Sequence, residues 1–192
     1  MNKPLSLFVG RSASGKTTIA QILSEQHGMK QVNSYTTRQP RFDGEIGHIF
    51  VNEEQFKSLG ELAAYTYYNG SHYGTTFEQL NESDIYVVDV PGVKSLLKKL
   101  KDDDRPIDIF YFDASVSARI LRMIERGDSD TAIISRLLQD EKEDWYEQLD
   151  SLVWKYVNLI GKDVELYKIN ADKDIQKVLR LVLYFMNQYK ED

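Results

Sequence analysis

The sequence contains no cysteine, which excludes disulfide bonds and thiolate metal sites. No apolar run is long enough to span a membrane, and the first twelve residues lack the apolar core and cleavage site of a signal peptide. Basic residues are the minority, since 24 Lys and Arg against 30 Asp and Glu give a net charge of −6. We therefore expect a cytoplasmic protein without a nucleic-acid or membrane partner, which holds any bound anion by local donors.

What is present is the composition of one α/β domain, because 42% of the 192 residues are hydrophobic. Short apolar runs alternate with segments of helical spacing, which predicts a parallel sheet covered by helices. The predicted strands are 5–9, 84–90, 107–113 and 163–169. The predicted helices are 16–27, 93–101, 115–126, 128–149 and 175–186.

Residues 33–77 differ in amino-acid composition from the rest of the chain. They are rich in Tyr, Thr, Phe and Gly, which is typical of short strands and loops. We interpret 33–77 as an inserted β-rich subdomain, with the core of a single domain formed by 1–32 and 78–192.

The stretch "GRSASGKTT" follows the first predicted strand and matches G-x-x-x-x-G-K-[ST] without a gap. Such glycines let backbone N–H groups turn toward phosphate oxygens, while the lysine reaches the β- and γ-phosphates and the hydroxyl binds Mg²⁺. The strand before and the helix after disfavour a chance match. The motif predicts a nucleoside-triphosphate site, with Thr17 on the metal, formed by Gly10, Arg11, Ser12, Ala13, Ser14, Gly15, Lys16, Thr17 and Thr18.

A second phosphate site is predicted by Arg38 and Arg41, which flank Pro40 on a stiff segment. Downstream, "YGT" offers the hydroxyls of Tyr73 and Thr75 as neutral donors. The alternatives are solvated surface arginines and a hairpin whose tyrosines only pack.

Asp89 ends the apolar strand 84–90, where a carboxylate suits water bound to Mg²⁺ or an acceptor nucleotide. The alternative role is a cap on the turn that follows.

With these motifs the chain resembles guanylate kinases. "TTRQPRFDGE", "YGT", "RMIERG", "ISRL" and "INAD" occur in the order that this family has them. The resemblance implies a three-layer P-loop NTPase core with a parallel sheet, an inserted β-rich subdomain that binds a nucleoside monophosphate, and a helical lid at about 116–142. It implies ATP as the phosphoryl donor, with Mg²⁺ as cofactor and Asn170 at the adenine.

The resemblance also implies the roles of further side chains. Lys16 and three lid arginines would stabilise the transferring phosphoryl group, which spreads negative charge over its oxygens. The lid arginines are Arg122, Arg126 and Arg136, for which surface charge is the alternative. The acceptor would be contacted by Ser34, Arg38, Arg41, His48, Tyr73, Thr75 and Asp89.

The sequence departs from the family pattern in two places. The family has a guanine-binding glutamate nine residues before the tyrosine of Y-G-[ST], where this chain has Ala64. Loss of such an acceptor costs about 1–3 kcal/mol of discrimination. His48 stands where the family has a phosphate-binding tyrosine. Thr66 or Tyr67 are candidates to help read the base instead.

Three functions remain open on this basis. The first is a nucleoside monophosphate kinase that converts GMP or dGMP to the diphosphate with ATP, as a monomer or homodimer. The second is the same chemistry on another phosphorylated acceptor, such as another nucleotide or a ribosyl phosphate. The third is a guanylate-kinase-like binding domain without catalysis, which Lys16, Thr17 and the lid arginines disfavour.

Overall fold

A computed structural model describes residues 3–41, 43–141 and 144–187 of the chain. The predicted outer limits of the core and of the lid, at residues 1, 142 and 192, lie outside these ranges. The strands are β1 (Leu5–Val9), β2 (Ser34–Thr36), β3 (His48–Phe50), β4 (Leu62–Tyr68), β5 (Ser71–Thr76), β6 (Ile85–Val87), β7 (Ile107–Asp113) and β8 (Val164–Asn170). The α-helices are α1 (Lys16–His27), α2 (Glu53–Lys57), α3 (Phe77–Asn81), α4 (Val90–Lys99), α5 (Val116–Glu125), α6 (Asp130–Asp140), α7 (Trp145–Lys155) and α8 (Ile175–Asn187). A π-helical segment, Tyr156–Ile160, follows α7.

The strands form two separate four-stranded sheets. The first has the order β6-β1-β7-β8 and is parallel throughout. The second has the order β3-β2-β5-β4, in which β2 pairs with β3 in parallel and with β5 antiparallel. All strands of the second sheet lie between Ser34 and Thr76, within the segment interpreted as an insertion.

Helices cover both faces of the parallel sheet, because alternate strand residues point to opposite sides. On β1, Leu7 packs with residues of α4 and α7, whereas Phe8 packs with residues of α1 and α8. On β7, Ile109 and Phe110 divide in the same way. The predicted three-layer α/β core with a parallel sheet is therefore confirmed.

Two predicted elements are wrong. The single helix predicted over 128–149 is two helices, because α6 ends at Asp140 and Asp144 caps a new helix, α7, by accepting from two of its first N–H groups. The strand predicted to reach Val90 ends at Val87 instead. Pro91 lies in the first turn of α4, where a missing N–H costs nothing.

The apolar spacing of α5 does not mark its buried face. Leu121 and Ile124 are 60% and 56% exposed, whereas Arg119 and Met123 are fully buried. The buried face of α5 thus carries a charged side chain next to an apolar one. Among the described residues, no helix has the length and apolar character needed to cross a membrane.

Candidate active site

The carboxyl ends of β1 and β6 open into a cavity of about 210 Å³ that the second sheet and the helical segment α5–α6 close on its other sides. Parallel strands direct their C-terminal loops to one edge, which is where ligands bind in such folds. The wall of the cavity includes Gly10, Ser12, Ala13, Lys16, Thr17, Ser34, Arg41, His48, Thr66, Tyr68, Tyr73, Tyr86, Asp89, Arg126, Arg136, Asp140 and Trp145.

The glycine-rich loop forms one wall of this cavity and has the close contacts that its sequence predicts. A Cβ on Gly10 would lie 2.6 Å from the carbonyl oxygen of Phe112, so only glycine fits between β1 and β7. Gly15 caps α1 with φ 95°, and Ala13 has φ 59°. The loop therefore delivers the N-terminus of α1 to the cavity, which is a site for anions.

Lys16 lies at this helix start, and its Nζ donates to the carbonyl oxygen of Arg11 at 3.1 Å. Burial lowers the pKa of Lys16 from 10.5 to about 8, although Asp140 and Asp89 raise it. The site therefore holds an ammonium group whose charge is incompletely compensated. A bound phosphate would supply the missing negative charge.

Arg38 and Arg41 are brought together by Glu45, which the sequence analysis did not assign to the site. Arg38 binds both carboxylate oxygens of Glu45, at 2.8 and 3.1 Å, and the backbone N–H of Arg41 donates to the same group at 2.7 Å. Burial, together with Arg38 and Arg136, lowers the pKa of Arg41. Arg41 lines the cavity and Arg38 does not, so Arg41 is the guanidinium of the two that faces the cavity.

Ser34 and His48 face each other across the β2–β3 pair, and the Ser34 hydroxyl is 2.9 Å from His48 Nδ1. The His48 ring also contacts Tyr73 edge-on, with 5.8 Å between centroids. Burial and the neighbouring Arg38 lower the pKa of His48 from 6.5 to about 4. His48 is therefore neutral at pH 7 and acts as a hydrogen-bonding group, not as a cation.

Asp89 caps α4 by accepting the N–H of Gly92 at 2.8 Å, and it also lines the cavity. Burial raises the pKa of Asp89, while a hydrogen bond from Thr66 lowers it. The capping role and the ligand-facing position thus coexist in one carboxylate. Thr66 and Asp89 thus form a hydrogen-bonded pair in the wall of the cavity.

Ala64 does not face the cavity. It is 1% exposed, pairs with Thr75 and packs in the core between the parallel sheet and α4. Of the two suggested helpers, Thr66 lines the cavity, whereas Tyr67 is 60% exposed and does not. Thr66 and Asp89 therefore line this part of the cavity, and Ala64 does not.

Six other predicted residues are not part of the cavity wall. Three of them, Arg11, Ser14 and Gly15, belong to the glycine-rich loop itself. Thr75 is fully buried, and its hydroxyl donates to Gln79 at 3.0 Å. Thr18 is exposed at the start of α1. Asn170 ends β8 beside two shallow surface depressions, and its side chain accepts the N–H of Asp172.

The predicted lid arginines divide into two groups. Arg122 donates to the carbonyl oxygens of Ala13 and Ala171, at 3.3 and 2.7 Å, and so braces the glycine-rich loop from outside the cavity wall. Arg126 and Arg136 line the cavity and share one counter-ion, Asp128. The sequence analysis missed Asp128, although its position two residues after Arg126 was a local signal.

Tyr68, Tyr86 and Trp145 of the cavity wall were not predicted from the sequence, and neither was the charged pair of Arg119 and Asp140. Both members of this pair are fully buried and lie behind or within the wall of the cavity. They come from different helices, 21 positions apart, so no local pattern connects them.

The fold and this site define an α/β protein in which a cavity lies between a glycine-rich loop and a group of arginines. A solved guanylate kinase from Anaplasma phagocytophilum has a similar fold, with a TM-score of 0.53 and 12% identity over 100% of this chain and 89% of that one. A solved sugar kinase from a Janibacter species is also similar, with a TM-score of 0.50 and 14% identity over 96% and 95% of the two chains. At these identities the two structures show a shared fold and nothing more.

The sequence comparison is more specific. A curated guanylate kinase from Lactobacillus johnsonii is 30% identical over 204 aligned positions, which cover 98% of this chain and 97% of that protein. No family model matches the chain. The full-length match nevertheless shows that the chain belongs to the guanylate kinase family.

Proposed function

We propose that the protein is an ATP-dependent nucleoside monophosphate kinase that converts GMP or dGMP to the diphosphate. One observation carries this proposal: Lys16 on the glycine-rich loop and Arg41 in the connection between β2 and β3 line the same cavity, with Arg126 and Arg136 also in its wall. Two phosphate sites that share one cavity suit direct transfer between two nucleotides. The guanylate kinase names of the relatives support the acceptor.

The catalytic work divides among these residues. Lys16 and the N-terminus of α1 would hold the β- and γ-phosphates, while Arg41 and Tyr73 would hold the acceptor phosphate. Arg126 and Arg136 would then neutralise charge on the transferring group. Ser34, Thr66 and Asp89 would orient the acceptor base through hydrogen bonds. The reaction needs no covalent intermediate on the protein, because positioning and charge stabilisation suffice.

Magnesium fits this site only as a companion of the triphosphate. The hydroxyl of Thr17 lines the cavity, but the described residues contain no group of three or more His, Asp or Glu side chains that would hold a metal alone. Bound together with ATP, Mg²⁺ would neutralise developing charge on the β- and γ-phosphate oxygens. Thr17 is the residue we propose as its protein ligand.

The direct test is ADP production from Mg·ATP with GMP, dGMP, AMP, CMP, UMP, IMP and ribose 5-phosphate as acceptors. Lys16→Ala serves as the blank, because it should remove transfer while the fold remains. We expect GMP and dGMP to give the highest turnover. Turnover by the Lys16→Ala variant equal to that of the native protein would refute the triphosphate site.

The second candidate is the same transfer to a different phosphorylated acceptor. It is favoured by Ala64, which offers no carboxylate to guanine and lies in the core. Preference for another member of the acceptor panel would establish it. A binding domain without catalysis would give no ADP above the blank with any acceptor.

A further inference from the structure

Arg119 and Asp140 form an unusual buried charge pair. Their side chains are 0% and 1% exposed, and Arg119 NH2 lies 3.5 Å from Asp140 Oδ2. Arg119 Nε and NH2, and Asp140 Oδ1, have no hydrogen-bond partner among the residues that the structure describes. Burying two charges with incomplete hydrogen bonding costs stability, so the pair calls for a functional explanation.

The contacts of Asp140 connect α6 with the glycine-rich loop. Asp140 Oδ2 accepts the backbone N–H of Ser12 at 2.8 Å, and the Asp140 carbonyl oxygen accepts from Arg11 Nε at 3.1 Å. Arg11 also pairs with Glu141 at 3.6 Å. The C-terminal end of α6 is therefore docked on two consecutive residues of the loop.

This docking bears directly on Arg136. Arg136 precedes Asp140 by four residues on α6, which is about one helical turn or 6 Å. Both residues line the cavity. Because a helix is rigid over one turn, the contact of Asp140 with the loop fixes the position of the Arg136 backbone relative to the loop.

The charge of Asp140 has a second consequence. A carboxylate in the wall of a triphosphate site repels its ligand, and within the protein such repulsion is only partly screened. Arg119 lies against it and also binds Glu141 Oε1 at 3.1 Å, so one guanidinium serves two carboxylates. Arg119 is thus placed to neutralise the repulsion.

We propose that Asp140 is a positioning residue that couples the glycine-rich loop to Arg136, and that Arg119 neutralises its charge so that the loop can accept a triphosphate. This inference rests on the proposed kinase function. It assigns a role to two residues that touch neither the reacting phosphates nor the acceptor in that proposal.

The charge role is tested by measuring the dissociation constant of Mg·ATP for Arg119→Met, Asp140→Asn and the double variant. Arg119→Met should weaken ATP binding about tenfold or more, because it removes the guanidinium that offsets the charge of Asp140 beside the phosphates. Asp140→Asn keeps an oxygen for Ser12 and should bind ATP at least as tightly as the native protein. The double variant should return to within about threefold of native affinity.

Asp130→Asn is the matched control, because it removes the same charge from the exposed opposite end of α6. It should leave the ATP dissociation constant unchanged. A purely structural pair would lower the melting temperature of the single variants without moving ATP affinity of the folded protein, and that result would overturn the charge role.

The positioning role is tested with Asp140→Ala, which removes the side-chain contact to Ser12. We expect kcat to fall about tenfold while KM for the acceptor changes less than about threefold, since Arg136 acts on the transferring group. An unchanged kcat, or a loss confined to the acceptor KM, would overturn it. If native protein binds ATP no better than Lys16→Ala, the proposed kinase function itself fails.

Discussion

Replacing Lys16 by methionine should make the folded protein more stable while abolishing phosphoryl transfer. The pKa of Lys16 is lowered from 10.5 to about 8 because burial disfavours its charged form. At 1.36 kcal/mol per pH unit, this difference corresponds to about 3 kcal/mol of destabilisation at pH 7. Lys16 is only partly buried, so solvent screening reduces the expected gain on substitution to about 1–2 kcal/mol.

The stabilisation by Lys16→Met depends on pH, because the pKa of Lys16 differs between the folded and the unfolded protein. Below pH 8 the lysine is protonated in both states, and the full cost of burying the charge is present. Between pH 8 and 10.5 the unfolded chain binds more protons than the folded one, so native stability rises with pH. The advantage of Lys16→Met should therefore be largest below pH 8 and vanish by about pH 10.5.

Urea unfolding at pH 7 and at pH 10 measures both effects, and Lys94→Met is the control. Lys94 is exposed on α4, and its replacement should change the free energy of unfolding by less than about 0.5 kcal/mol. The reasoning would be refuted by a Lys16→Met variant that is less stable than native protein at pH 7. It would equally be refuted by a stability gain that does not shrink as the pH rises.

Three further predictions concern the acceptor side and the lid. Asp128→Asn should lower kcat about tenfold with little change in either KM, because Arg126 and Arg136 lose their shared counter-ion. Steady-state kinetics in both substrates measures this, and a rise in KM as large as the fall in kcat would contradict it. Thr66→Val removes the hydroxyl that hydrogen-bonds to Asp89 and should raise the acceptor KM about tenfold while the ATP KM stays the same. A change confined to the ATP KM would contradict the placement of Thr66 at the acceptor. His48→Gln should remove part of the acid lability of the protein. Because the pKa of His48 is about 4 in the folded protein and 6.5 in the unfolded chain, native stability falls by about 1–2 kcal/mol, after screening, as the pH drops from 6.5 to 4. Urea unfolding at both pH values measures this loss, and an equal loss in the variant would contradict the prediction.

The sequence alone determined the elements whose signals are local. β1, α1 and β7 occur at the predicted places, because continuous apolar runs and a glycine at each helix end are read without knowing the fold. The glycine-rich loop was equally local, since its spacing is contiguous and each residue type has a fixed task. The family resemblance was also carried by contiguous motifs.

Tertiary structure decided how charges are paired. Arg119 and Asp140 meet only because α5 and α6 fold against the glycine-rich loop. The structure also shows that Glu45 pairs with Arg38 and that Asp128 pairs with Arg126. Ala64 likewise holds the sequence position expected of a base-reading residue yet packs in the core. A one-dimensional pattern records residue type and spacing, but burial and the distances between remote side chains arise only when the chain is packed.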